Sequence, residues 1–144
     1  METIVSAKPS VQAEYPTLYP TLSDRVQSTF IDTIFIVVLM FFIASVLDKY
    51  EGAPDWIRIV LFFGIWGVYE PLCTAFGFTI GNYAKGIRVR RSGDVSKKIN
   101  MLQAFFRYVL KISLGWISFL TMHSNSQRRA IHDFAAGSVI IKKQ

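Results

Sequence analysis

Two long apolar runs dominate the chain. Val26–Leu47 and Trp56–Phe78 each have about the length, roughly 20 residues, that a helix needs to cross a hydrocarbon core. One carboxylate interrupts each run, Asp32 in the first and Glu70 in the second. An acid at such a depth costs on the order of 3 kcal/mol on insertion scales and faces protein, a cation or a water-filled cavity. The pattern predicts an all-α membrane protein with a polar interior, and that interior is where its function is to be sought.

Ser23 reads as the N-cap of the first membrane helix, expected over Asp24–Leu47, with Asp24 favourable to its first turn. Asp48–Asp55, with Glu51, Gly52 and Pro54, reads as a short acidic turn, and the second membrane helix follows over Asp55–Gly77. Pro71 lies inside that helix and deprives the carbonyl of Gly67 of its usual donor, which predicts a kink beside Glu70. Gly86–Arg91 alternates apolar and basic residues, and Ser138–Lys142 is a second short strand candidate. The two can pair into a two-stranded ribbon on the cytoplasmic side.

Between the strands lies Asn100–Met122, mostly apolar but carrying Gln103, Arg107 and Lys111 at i, i+4 and i+8, on one helix face. Eleven residues separate Lys111 from His123, about 16 Å of helix, half a bilayer. The cations after the second helix (Lys85, Arg88, Arg90, Arg91, Lys97, Lys98) contrast with the acidic turn before it, so the positive-inside rule makes residues 79–99 and the N-terminus cytoplasmic. The C-terminal tail, with Arg128, Arg129, Lys142 and Lys143, is also basic. A broken or re-entrant third helix keeps it cytoplasmic and is favoured; three full crossings with a basic tail outside is the alternative.

Composition narrows the picture further. The chain has 144 residues, of which 51% are hydrophobic and 15% aromatic, and that leaves no room for a second soluble domain of ordinary size. Its net charge of +6 suits an anionic lipid surface, and no recognition motif accompanies the charge to suggest nucleic acid. A single cysteine, Cys73, excludes an internal disulfide and reads as a small buried side chain. Residues 1–22 are broken by Glu2, Lys8, Pro9 and Glu14, unlike a signal peptide, and contain the tandem Tyr15–Leu18 and Tyr19–Leu22. They read as a disordered cytoplasmic tail before a membrane domain over residues 23–144.

Three stretches carry a resemblance. Arg25 followed by Asp32 opens the first helix. Gly77-Phe78-Thr79-Ile80-Gly81 continues to Gly86-Ile87-Arg88-Val89. The tail reads Arg128-Arg129-Ala130-Ile131-His132-Asp133-Phe134-Ala135-Ala136-Gly137-Ser138-Val139. In this order, around apolar runs, they resemble the RDD family of small membrane proteins, over about Leu22–Lys142. Many members carry Gln before the Thr and Lys after the second Gly, where this chain has Phe78 and Asn82. The resemblance implies that Arg25, Asp32 and Asp133 are the arginine and two aspartates of the family's name, and a bacterial inner membrane as the location. It implies either transport of ions or small ligands, with sodium–proton exchange in some members, or an accessory part of a larger membrane assembly.

Spacing places Arg25 and Asp32 almost two turns apart on one helix face, about 10 Å along the axis. If Asp133 meets Arg25, the tail lies on the cytoplasmic side, and an arginine–carboxylate pair stitches it to the first helix, as gate or clamp. His132 next to Asp133 is expected to help fix the tail. Asp32 lies about 9 Å inside the first helix and Glu70 about 12 Å inside the second, from the same side, so antiparallel helices hold them at similar depth. Facing carboxylates share a proton or bind a cation; alternatively Arg107 and Lys111 neutralise them into a structural network. No metal-ligand spacing and no hydrolytic motif is present, so neither cofactor nor enzymatic activity is expected. Two or three helices barely enclose a pathway, so a homo-oligomer or a larger complex within the lipid bilayer is expected.

Overall fold

The computed structural model describes residues 18–50 and 53–143. Most of the N-terminal tail, including residues 15–17 of the first tandem copy, lies outside them. In the second copy Tyr19 and Pro20 are buried, and Thr21 starts the fold. Helix α1, Leu22–Leu47, is capped by Thr21 where the sequence suggested Ser23. Thr21 Oγ1 accepts from Asp24 N at 3.2 Å, and the Asp24 carboxylate accepts from Thr21 N at 3.0 Å. This reciprocal pair needs an acid at the third helical position, which Asp24 supplies and the residue three after Ser23, Val26, does not.

Helix α2, Asp55–Phe76, follows Pro54 at its N-cap and stops at Gly77, whose φ of +111° a residue with a Cβ adopts only with strain. It runs on through Pro71 without a break in the helix. Tyr108 Oη donates to the Trp66 carbonyl at 2.5 Å, one residue before the carbonyl that Pro71 leaves free. At 26 and 22 residues, α1 and α2 are about 39 and 33 Å long, enough to cross the core. Phe30, Phe41, Phe42, Phe62 and Phe63 stand exposed on them, as lipid-facing side chains do.

A short helix α3, Ile80–Ala84, leads into β1, Ile87–Arg91. The third apolar segment begins as α4, Met101–Leu114, whose Asn100 backbone N–H is held by Gln103 at 3.0 Å. By length and composition Met101–His123 could cross a membrane. It breaks instead at Gly115, at φ +49° and ψ −130°, and continues as a 3-10 helix over Gly115–His123. Gly115 and Trp116 line one cavity with Thr29, Phe30 and Thr33 of α1, whereas Met122 and His123 line another with Thr21, Leu22 and Ser23. Thr33 is eleven residues, about 16 Å, along α1 from Leu22. The segment is thus broken at Gly115, and its second limb runs back along α1 towards Thr21.

Helix α5, Ile131–Ala135, and strand β2, Ser138–Lys142, end the described chain. β1 and β2 pair antiparallel, with Ile87 opposite Lys142, Val89 opposite Ile140 and Arg91 opposite Ser138. Ile87, Val89 and Ile140 pack with Ile99 and Ala104 into a small apolar core beneath the ribbon. The Gly77 carbonyl accepts from Val89 N at 2.9 Å, tying the ribbon to the end of α2. Lys142 reaches Asp24 at 3.4 Å, so both ends of the described chain lie on one face.

Candidate functional site

Asp133 is the centre of the polar interior. It is fully buried on α5, and Arg25 of α1 and Arg107 of α4 converge on it. Arg25 Nη1 donates to Oδ2 and Arg107 Nε to Oδ1 at 2.8 Å. Oδ2 also accepts from Ala130 N at 3.1 Å, which satisfies a free donor at the start of α5. Arg25 Nη2 donates to the Arg128 carbonyl at 2.7 Å. Burial opposes the Asp133 charge, but the two arginines outweigh it and hold its carboxyl well below the ordinary range. One carboxylate therefore joins α1, α4 and the tail.

His132 is buried beside it. Its Nδ1 meets Ser118 Oγ of the 3-10 segment, and its Nε2 lies 3.5 Å from Asp133 Oδ1. Burial, together with the cations nearby, pushes its pKa down to about 3 despite Asp133, so the ring is neutral. A proton on Nε2 facing Asp133 leaves Nδ1 to accept from Ser118. Serine, histidine and aspartate thus meet here although no motif announces them. Ser118 is wholly buried and Asp133 is engaged by two arginines, so the trio clamps the 3-10 segment to α5.

Asp32 has different company. Its Oδ1 accepts from Tyr69 Oη at 2.9 Å and from Gly81 N at 2.7 Å, and its Oδ2 accepts from Thr79 Oγ1 at 2.5 Å. Among the described residues no lysine or arginine nitrogen lies within 4.0 Å of it. Two of its three donors come from the glycine-punctuated segment after α2. Gly81 lies so close to α1 that a Cβ on it would fall 2.0 Å from the Ser28 carbonyl. Next to it, Asn82 accepts from Ser28 Oγ at 2.7 Å.

Glu70 faces α4. Lys111 Nζ lies 2.6 Å and Arg107 Nη1 3.8 Å from its Oε1. Asp32 and Glu70 therefore keep separate partners, neutral donors for one and cations for the other. Both line one small cavity of about 20 Å3, with Arg25, Arg107, Lys111, His132, Ser28 and Thr79 among its other walls. That is room for about one water molecule. Among the described residues no group of three or more His, Cys, Asp and Glu side chains is placed to hold a metal ion.

Tyr69 and Ser118 carry no signal in the sequence, because each is one hydroxyl in an apolar stretch. Thr79 and Gly81 did stand in a conspicuous motif, but only the fold shows that its target is Asp32.

An integral membrane protein with three apolar membrane segments, the third broken at Gly115, and a buried ion-pair centre at its polar end is the class this architecture defines. The sequence model of the RDD family matches residues 19–137, and the chain belongs to that family. No curated protein and no solved structure matches it.

Proposed function

We propose that the protein is transporter-like and handles a proton or a small cation at the cavity between Asp32 and Glu70, in the manner of a sodium–proton exchanger. The observation that carries this reading is Asp32, a carboxylate inside a membrane segment, bound by neutral donors alone and lining a polar cavity. A proton or sodium ion is the missing positive partner, and competition between the two for one carboxylate is the basis of exchange. Glu70 and Lys111 form the balancing pair on the opposite wall, with Arg107 behind them. Arg25, His132 and Asp133 hold the tail and close the cytoplasmic end. Both termini are on the cytoplasmic side of a bacterial inner membrane in this reading, since the basic residues gather at that end.

Flux tests it directly. Proteoliposomes containing the full chain should show sodium-dependent proton movement. Asp32→Asn should reduce it at least tenfold while the protein still elutes as a folded species. Flux that persists in folded Asp32→Asn refutes the assignment.

A second reading, a non-catalytic scaffold or accessory subunit, is favoured by one observation. The far half of α1 and α2 encloses an apolar cleft of about 420 Å3 between Val37, Phe41, Ala44, Leu61 and Ile65. Another membrane helix, from a second copy or from a larger complex, would cover such a face. Stoichiometric co-purification of a partner from native membranes, together with absent flux, would establish it.

A further inference from the structure

The basic residues of the ribbon form more than a diffuse collar. Arg88 and Arg90 alternate along β1 and so share one face. Arg90 turns back towards the end of α2. A Cβ placed on Gly77 would lie 2.9 Å from Arg90 Nη1 and 3.8 Å from Lys98 Cε, so two cationic side chains converge on the one position there without a side chain. Among the described residues no carboxylate lies within 4.0 Å of Arg88, Arg90 or Lys98. Arg90 Nη1 is buried and has no hydrogen-bond partner.

The bland explanation is attraction of Arg90 to the negative end of the α2 dipole. That attraction still leaves Arg90 Nη1 without a hydrogen-bond acceptor. Burial and the neighbouring Arg88 charge both lower the Arg90 pKa, the mark of cations held together without an anion.

We infer that Arg88, Arg90 and Lys98 form a binding site at Gly77 for the phosphate of an anionic phospholipid headgroup. Phosphate supplies the acceptor oxygens that a guanidinium fork and an ammonium group both engage. The lipid source follows from position. Gly77 directly follows the last residue of α2, where that helix leaves the bilayer, and Phe76 and Phe78 stand exposed on either side of it. An acyl chain packs beside those rings while its phosphate reaches the cations. The choline of a zwitterionic lipid would bring a further positive charge to an already crowded cationic site.

Native mass spectrometry of the full chain in detergent tests this, with phosphatidylglycerol, phosphatidylcholine and inorganic phosphate titrated separately. Phosphatidylglycerol should bind more tightly than phosphatidylcholine. The double variant Arg90→Gln with Lys98→Gln should weaken it about tenfold, in line with the loss of charge-assisted hydrogen bonds. Lys49→Gln, at the far end of α1, should leave it unchanged. Lys98→Gln alone, at an exposed position, keeps the test if the double variant misfolds, with a loss of about threefold expected. Undiminished phosphatidylglycerol binding in the folded variants, or an equal loss in Lys49→Gln, overturns the site. Inorganic phosphate that binds as tightly and displaces the lipid overturns the headgroup in favour of a soluble phosphate compound.

Discussion

Asp133 and Asp32 are both sheltered carboxylates, and their neighbours set them apart. Asp133 neutralises two buried arginines, so Asp133→Asn strands two charges at once and should cost about 3–5 kcal/mol. Asp32→Asn strands no cation and should cost clearly less. Thermal unfolding of both variants in one detergent compares them, and equal losses would contradict the separate roles. His132 adds a pH dependence. Its folded pKa of about 3 lies below the ordinary 6.5, so between those values only the unfolded chain takes up the proton. Stability should therefore fall as pH drops through that window, by about 1.4 kcal/mol per pH unit for one proton. Asp133 works in the same direction at lower pH: its lowered pKa contributes stability above 3.8 that is lost as pH falls through the folded value. His132→Asn should flatten the slope between pH 6.5 and 4, and an unchanged slope would remove the imidazole from the account.

Among the elements, the segment Gly77–Ala84 leaves its large apolar side chains Phe78, Ile80 and Tyr83 exposed, and Asp32 anchors it through Thr79 and Gly81. Thr79 and Gly81 reach the carboxylate only because Gly81 sits against the Ser28 carbonyl without a Cβ between them. Gly81→Ala should push α3 off α1 and cost about 1–3 kcal/mol, the range for overpacking a tight contact. The same thermal unfolding measurement reads it, and a neutral result would mean that the helices can part without loss. The third apolar segment shows how one residue redirects an element. Met101–His123 has enough apolar residues to cross, and Gly115 turns it back through a backbone conformation that few side chains tolerate. On the returning limb, the Ser118 hydroxyl meets His132 rather than lipid.

In the whole molecule the usual arrangement of a soluble protein is reversed. Apolar side chains face outward along α1 and α2, the charges of Arg25, Arg107 and Asp133 are buried inside, and a small apolar core sits under the ribbon at the membrane surface. The re-entrant path makes a topological prediction. In a background with Cys73→Ala, single cysteines at Ser124 and Lys143 should react with an impermeant maleimide from one side of the membrane, and a cysteine at Lys49 from the other. Labelling of Ser124 and Lys49 from the same side would show a complete third crossing.

Much of this was legible along the chain. Run length and hydropathy are local properties, so α1, α2 and the short ribbon followed from residue order, as did the conflict between a basic tail and a full third crossing. Arg25 and Asp133 could be paired on the resemblance, because a buried arginine demands a carboxylate. For Glu70 the chain offered Arg107 and Lys111 as one of two alternatives, and the fold chose it; the donors of Asp32 were not legible. At similar depth the two acids looked interchangeable, but Glu70 meets Lys111 whereas Asp32 meets Thr79 and Gly81. Which donors reach a carboxylate depends on ångström-scale approach between segments tens of residues apart, and hydrophobic patterning carries no record of that distance.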